Sequence, residues 1–209
     1  MTFFKRLPGV LPNTYRAPMR PRLMVDPILP AAYSRILGTP ITLGENDVHG
    51  DCVAVAAWNA TFCANARRGV FTSCQDSAPF DLYCTLGGMP ADEGLDPATL
   101  FNYWQSTPIN GWLLKSIEEI ALDDTAGMEQ TIIDNGFVYF TATLDEAQMD
   151  QQDWTPVDSP VAGGHATILS WWEAGWFYDE TWGAERRASP AFIKAQGQNV
   201  WRLDLELAT

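Results

Sequence analysis

The chain is poor in the residues that build metal centres. It has four cysteines and two histidines, and Cys52, Cys63, Cys74 and Cys84 follow one another at intervals of 11, 11 and 10 residues instead of in CxxC pairs. That spacing matches no zinc or redox motif, so neither a metal nor another cofactor is expected. Also lacking is any apolar run near the roughly 18 residues that a membrane helix needs, and the first 22 residues hold no uninterrupted apolar core of secretory type. The expectation is a soluble protein without a standard signal peptide, cytoplasmic, or in the virion if phage-encoded. Reduced thiols are then the default, with a Cys74–Cys84 disulfide as the alternative.

Positive charge is scarce beyond the amino-terminal end. Lys5, Arg6, Arg16, Arg20 and Arg22 stand in residues 1–22 without a single acid, and the remainder carries 8 basic against 26 acidic residues, a net −18. Such a body repels phosphate backbones and anionic lipid, which excludes nucleic acid and membrane surfaces as expected partners.

What the chain does have is a core: 46% of its 209 residues are hydrophobic, enough for one domain and an arm. The arm is residues 1–43, where Pro8, Pro12, Pro18, Pro21, Pro27, Pro30 and Pro40 forbid a long helix or a central strand. Phe3, Phe4, Leu7, Val10, Leu11 and Tyr15 are too apolar for a solvated tail. Residues 1–22 are therefore expected to dock on an acidic surface, either this chain's own body or a protein partner. Residues 44–209 form the folded domain, and no internal repeat interrupts them.

Within that domain, "DCVAVAAWNATFCANARRG" signals a helix at both ends. Asp51 is placed to cap it, Cys52 to open it, Arg67 and Arg68 to meet the dipole at its end, and Gly69 to stop it. Its nearly uncharged run predicts a helix surrounded by protein. Asp96-Pro97 opens a second helix over "ATLFNYWQ", and Thr125 caps "AGMEQTIIDN" before Gly136. A short helix is also expected at "LLKSIEEIAL". From Gly136 onward the β-branched and aromatic runs "FVYFTATL", "HATILSWW", "GWFYDETWG" and "NVWRLDLEL" read as strands. Helices followed by strands predict an α+β domain with an antiparallel sheet.

A thiol in the first turn of a helix feels unpaired N–H groups and the positive dipole end, which favour thiolate, so Cys52 is the candidate nucleophile. The candidate bases are His49, in the same loop, and His165, at the entry to an apolar strand after Gly163-Gly164. The run "GWFYDETWG" can fold back to bring a carboxylate to His165. Alternation puts Tyr178, Glu180 and Trp182 on one face and Asp179 and Thr181 on the other, so one acid of the Asp179–Glu180 pair can meet the ring.

This order of residues resembles the papain-like cysteine peptidases. There an oxyanion glutamine precedes by six residues a nucleophilic cysteine that opens a central helix, and a strand histidine and an Asn-Ser-Trp-Gly motif follow. Here Asn46, Cys52, His165 and "ETWG" from Glu180 to Gly183 occupy those places. "LGENDVHGDC", "GLDPATLFNYWQSTPING", "GGHA" and "TWG" look like uncharacterised C39-like or papain-like proteins of bacteria and bacteriophages. The departures are Asn46 for glutamine, Glu180 for asparagine, Val53 for an aromatic residue, and the missing disulfide pattern of secreted members.

The resemblance implies a papain-like α+β fold and a hydrolase, peptidase or amidase, working on a peptide or amide substrate through a Cys52–His165–Glu180 triad. The Asn46 amide and the Cys52 N–H would bind the oxyanion, with His49 at the rim or as the alternative donor to Asn46. The alternative is a catalytically weak or inactive structural protein, for example a virion component docked through its arm.

Overall fold

The computed structural model describes residues 15, 17–20, 32–33, 41–182 and 184–209. In chain order the elements are β1 (Ala32–Tyr33), α1 (Cys52–Ala66), α2 (Ser77–Thr85), α3 (Pro97–Trp104), β2 (Trp112–Ile120), α4 (Thr125–Asn135) and β3 (Val138–Asp145). After these come β4 (Asp153–Trp154), β5 (Val161–Leu169), β6 (Trp171–Glu173), β7 (Trp176–Thr181), β8 (Ala184–Ala188), α5 (Pro190–Gln196) and β9 (Gly197–Leu207). They form a four-stranded sheet, β2-β9-β3-β5, and a five-stranded one, β1-β6-β7-β8-β4. All pairs are antiparallel except β4 with β8. The α+β architecture expected from the sequence is present. No helix among the described residues is long and apolar enough to cross a membrane.

Helix α1 begins at Cys52 and is buried at every residue but Trp58. Its few polar side chains are answered from within: Asn59 bonds the backbone of Thr42 in both directions, and Asn65 accepts from the Trp112 indole at 3.0 Å. The end is a Schellman turn, with Gly69 at φ 72 and the amides of Gly69 and Val70 returning to the carbonyls of Ala66 and Asn65. Asp51 departs from expectation. At φ −89, ψ 10 it lacks the extended geometry from which a capping side chain reaches the second or third amide, and it makes no cap bond.

The four-stranded sheet has a core on each face. Leu114, Ile117, Tyr139, Ala166, Ile168, Trp201 and Leu203 pack in the cluster that contains α1 and α3, while Ile120, Val138, Phe140, Leu169 and Val200 pack on the other side with α4 and α5. This corrects the helix expected at "LLKSIEEIAL", which is the body of β2. Its register slips between Leu114 and Ser116, so the inward residues are three apart, a helical spacing made by a bulge and a change of face.

Elsewhere α3 is capped as anticipated, Asp96 accepting from the Ala98 amide at 2.9 Å. Helix α4 is capped one residue earlier than expected, by Asp124 on the Gly127 amide at 3.0 Å, and stops at Gly136 with φ 91. Cys84 lies in α2, and none of the four cysteines is in a disulfide, so the Cys74–Cys84 alternative is not formed. The described residues of the arm engage this chain's own body. Tyr15 meets Phe101 edge-on at 5.4 Å, Met19 bridges Glu119 of β2, and β1 adds to β6. The other arm residues singled out in the sequence lie outside the described ones.

Candidate active site

The sulfur of Cys52 starts α1 with no solvent exposure. The amides of Ala54 and Val55 return to the Asp51 carbonyl at 2.9 and 3.0 Å, and by helix geometry the amides ahead of them have no acceptor within the helix. One side of this helix start is fixed from the sheet, where the Tyr139 hydroxyl donates to the Val53 carbonyl at 3.0 Å. Burial, and then the charge of Cys52, raise the Tyr139 phenol well above its ordinary range.

The loop that delivers Cys52 is held by carboxylates. Asp51, fully buried, turns back on the loop and accepts the Glu45 amide on Oδ2 at 3.1 Å, while its Oδ1 is buried without a hydrogen-bond partner. Burial pushes the Asp51 carboxyl up to about 7, against the pull of the Glu45 N–H and of His49. Asn46 is 1% exposed in the same loop, and its Oδ1 also lacks a partner. His49 does not serve as the histidine of a Cys52 pair in any bond seen here. Its Nδ1 lies 3.0 Å from Asp92 Oδ2, its Nε2 3.6 Å from Glu45, and its ring stacks on Phe80 at 4.5 Å.

His165 sits on β5, opposite Ala142 of β3, and is 4% exposed. Its Nε2 lies 2.8 Å from Thr181 Oγ1. Trp182, at φ 50 just past the end of β7, covers the ring at 4.3 Å between centroids, and Trp154 meets it edge-on at 6.1 Å. Asp179, 1% exposed, alternates onto the Thr181 face and stands across from Arg186 of β8. Glu180 is in register with Glu185 on β7 and β8; its side chain lies outside the described residues.

Helix α1 packs directly on β5. Ala166 and Ile168, which follow His165 on that strand, share one apolar cluster with Cys52, Val53 and Ala56. The helix that begins with the thiol and the strand that carries the imidazole are thus neighbours, with Asn46 in the loop leading into the helix. Two residues went unnoticed in the sequence as partners. Thr181 was readable from strand alternation as sharing the Asp179 face, whereas Asp92 had no local signal, being 43 residues from His49.

Among solved structures, xylellain, a cysteine protease from Xylella fastidiosa, superimposes with a TM-score of 0.75 over 96% of each chain, at 10% sequence identity. The chain has the papain-like cysteine protease fold. A proCathepsin B from Trypanosoma congolense matches at TM-score 0.68 and 11% identity over 97% of this chain and 87% of that one. Digestive procathepsin L2 from Tenebrio molitor matches at 0.69 and 10% over 96% and 79%. No protein-family model and no curated protein matches the chain. With identities this low the likeness is one of backbone path, so activity must be argued from the site's own residues.

Proposed function

We propose that the protein is a papain-like cysteine hydrolase that cleaves a peptide or amide bond through an acyl-enzyme on Cys52. The observation that carries this reading is the His165 Nε2 to Thr181 Oγ1 contact of 2.8 Å, on the strand against which the Cys52 helix packs. With Nε2 engaged by the hydroxyl, this reading assigns Nδ1 to the proton exchange with the thiol.

The steps follow from that assignment. The Cys52 thiol gives its proton to His165 Nδ1, and the sulfur attacks the substrate carbonyl carbon. Negative charge collects on the carbonyl oxygen, where the Cys52 amide and the Asn46 side-chain amide donate to it; one well-placed donor of this kind is worth about 10²–10³ in rate. The C–N bond breaks as His165 returns the proton to the leaving amine. Water then attacks the thioester with His165 as base, the C–S bond breaks, and His165 returns the proton to the Cys52 sulfur as the acid product leaves. Throughout, Nε2–H donates to Thr181, which holds the tautomer and orients the imidazolium. Glu180 is the triad acid that the resemblance implies, but the Thr181 contact turns the Asp179–Thr181 face of β7 toward the imidazole, so alternation favours Asp179 as the acid of the pair on that side.

The described arm residues, Tyr15 and 17–20, lie on this chain's own body, which favours a strap over a device for docking a partner. The hydrolase reading is tested by mapping alkylation of Cys52 across pH with iodoacetamide. A rate well above that of an ordinary thiol, at pH values below its usual pKa of about 8.5, supports it; a rate no faster than a free cysteine's sinks it.

A further inference from the structure

Asp92 is in a backbone conformation that a residue with a side chain rarely adopts, at φ 53, and its carboxylate gathers three donors. Oδ1 accepts the Gly50 amide at 3.0 Å and the Tyr83 hydroxyl at 2.9 Å, and Oδ2 meets His49 Nδ1 at 3.0 Å. Glycine would take this φ at less cost, yet it would leave the Gly50 amide, itself buried, without its acceptor. Tyr83 is fully buried and its hydroxyl also accepts the Gly94 amide at 3.3 Å, so the carboxylate is tied to α2 and to its own loop at once.

Two of the three donors, His49 and Gly50, come from the segment between Asn46 and Cys52. That segment is tied locally by the Asp51 bond to Glu45 and by the Val48 and His49 amides on the Glu45 carbonyl, and the His49 ring stacks on Phe80 of α2. The Asp92 carboxylate adds the hydrogen bonds that fasten it across the chain to α2 and the loop of residues 88–94. Two positions proposed to hold an oxyanion, the Asn46 amide and the Cys52 N–H, bracket the fastened stretch.

We propose that Asp92 is a positioning residue which clamps the loop of residues 45–51 and so sets Asn46 and the start of α1 relative to the reacting bond. It touches no reacting atom, and its catalytic consequence rests on the hydrolase reading. Displacement of reacting groups by about 1 Å can cost roughly 10²-fold, so a loosened clamp acts through geometry alone.

The test uses the full chain with Asp92→Gly, which suits the backbone and deletes the carboxylate, and Asp92→Asn, whose amide oxygen can still take Gly50 and Tyr83. Two quantities are read in each: hydrogen exchange at the Gly50 amide, and the pH profile of Cys52 alkylation. In Asp92→Gly the Gly50 amide is expected to exchange about tenfold faster and Cys52 alkylation to slow about 10- to 100-fold, with Asp92→Asn returning both most of the way. His49→Phe, which removes the Nδ1 donor and keeps a ring against Phe80, is the milder variant that replaces Asp92→Gly should the latter not fold, and it is expected to move both readings in the same direction. Parent-like exchange and parent-like alkylation in these variants overturn the clamp. An ordinary alkylation rate in the parent instead sinks the hydrolase reading, and the clamp is then decided by the Gly50 exchange alone.

Discussion

His165 and Thr181 meet across the gap between the two sheets, Nε2 to Oγ1 at 2.8 Å, under the indole of Trp182. A hydroxyl is a partner that fits both states of the ring, accepting from Nε2–H whether Nδ1 is bare or protonated. Thr181→Val keeps the shape and leaves a buried imidazole nitrogen unanswered, a loss of about 1–3 kcal/mol in stability. The same variant is expected to lower the Cys52 alkylation rate, and Thr181→Ser to restore it. A Thr181→Val protein that melts and reacts like the parent would remove Thr181 from the site.

Glu180 and Thr181 are separable by substitution. Glu180→Gln removes a charge without removing the bond that orients His165, so it is expected to shift the alkylation profile less than Thr181→Val does. The reverse ranking would make Glu180 the direct partner of the ring and Thr181 a bystander.

Asp51 makes stability depend on pH. Its carboxyl rises from 3.8 to about 7 on folding, so between those values the folded chain binds more protons than the unfolded one. Stability therefore falls as pH rises from about 4 to about 7 and levels off above. Asp51→Asn keeps an oxygen for the Glu45 amide and has no charge to bury. It is expected to be the more stable protein at pH 8, by a few kcal/mol, with the difference closing near pH 4. Denaturant melts of both proteins at the two pH values check this, and a constant difference across pH contradicts it.

Gly88 lies under the Tyr83 ring, so closely that an added Cβ would overlap it. Gly88→Ala is expected to cost about 1–3 kcal/mol by displacing a fully buried aromatic residue, and to weaken the Tyr83 bond to Asp92. Urea unfolding gives the first effect. Faster exchange at the Gly50 amide gives the second, and its absence separates overpacking from any role in the loop.

How far the sequence could be read depended on whether the signal was local. Helix α1 was legible because its start, its Schellman stop and its lack of charge all lie within one stretch, and α3 because Asp96-Pro97 is a cap and a first turn together. The same signature stood at Ser189-Pro190, where Ser189 caps α5 on the Phe192 amide, and it went unread. Strand β2 was misread because a bulge and a two-sided core copy a helical period. In the site, Cys52 and His165 could be nominated from their own surroundings. The partners Thr181 and Asp92 could not be chosen, since each is fixed by which distant strand or loop arrives beside it.

The arm supplies a further test of what the chain does with its basic end. Arg20 places Nη1 on the Gly127 carbonyl of α4 at 3.1 Å and on the Thr131 hydroxyl, while its amide and the Pro18 carbonyl pair with Glu119, on the open edge of β2. An open strand edge invites pairing with another chain, and the arm covers it with this chain's own residues. Arg20→Ala is expected to cost about 1 kcal/mol, by removing one part-buried cation whose bonds are to neutral groups. Deleting residues 1–22 uncovers the β2 edge, and sedimentation should then show concentration-dependent self-association that the full chain lacks. If the truncated protein stays as dispersed as the full chain and melts at the same temperature, the arm is not a strap, and docking on a separate partner becomes the better account of its charge.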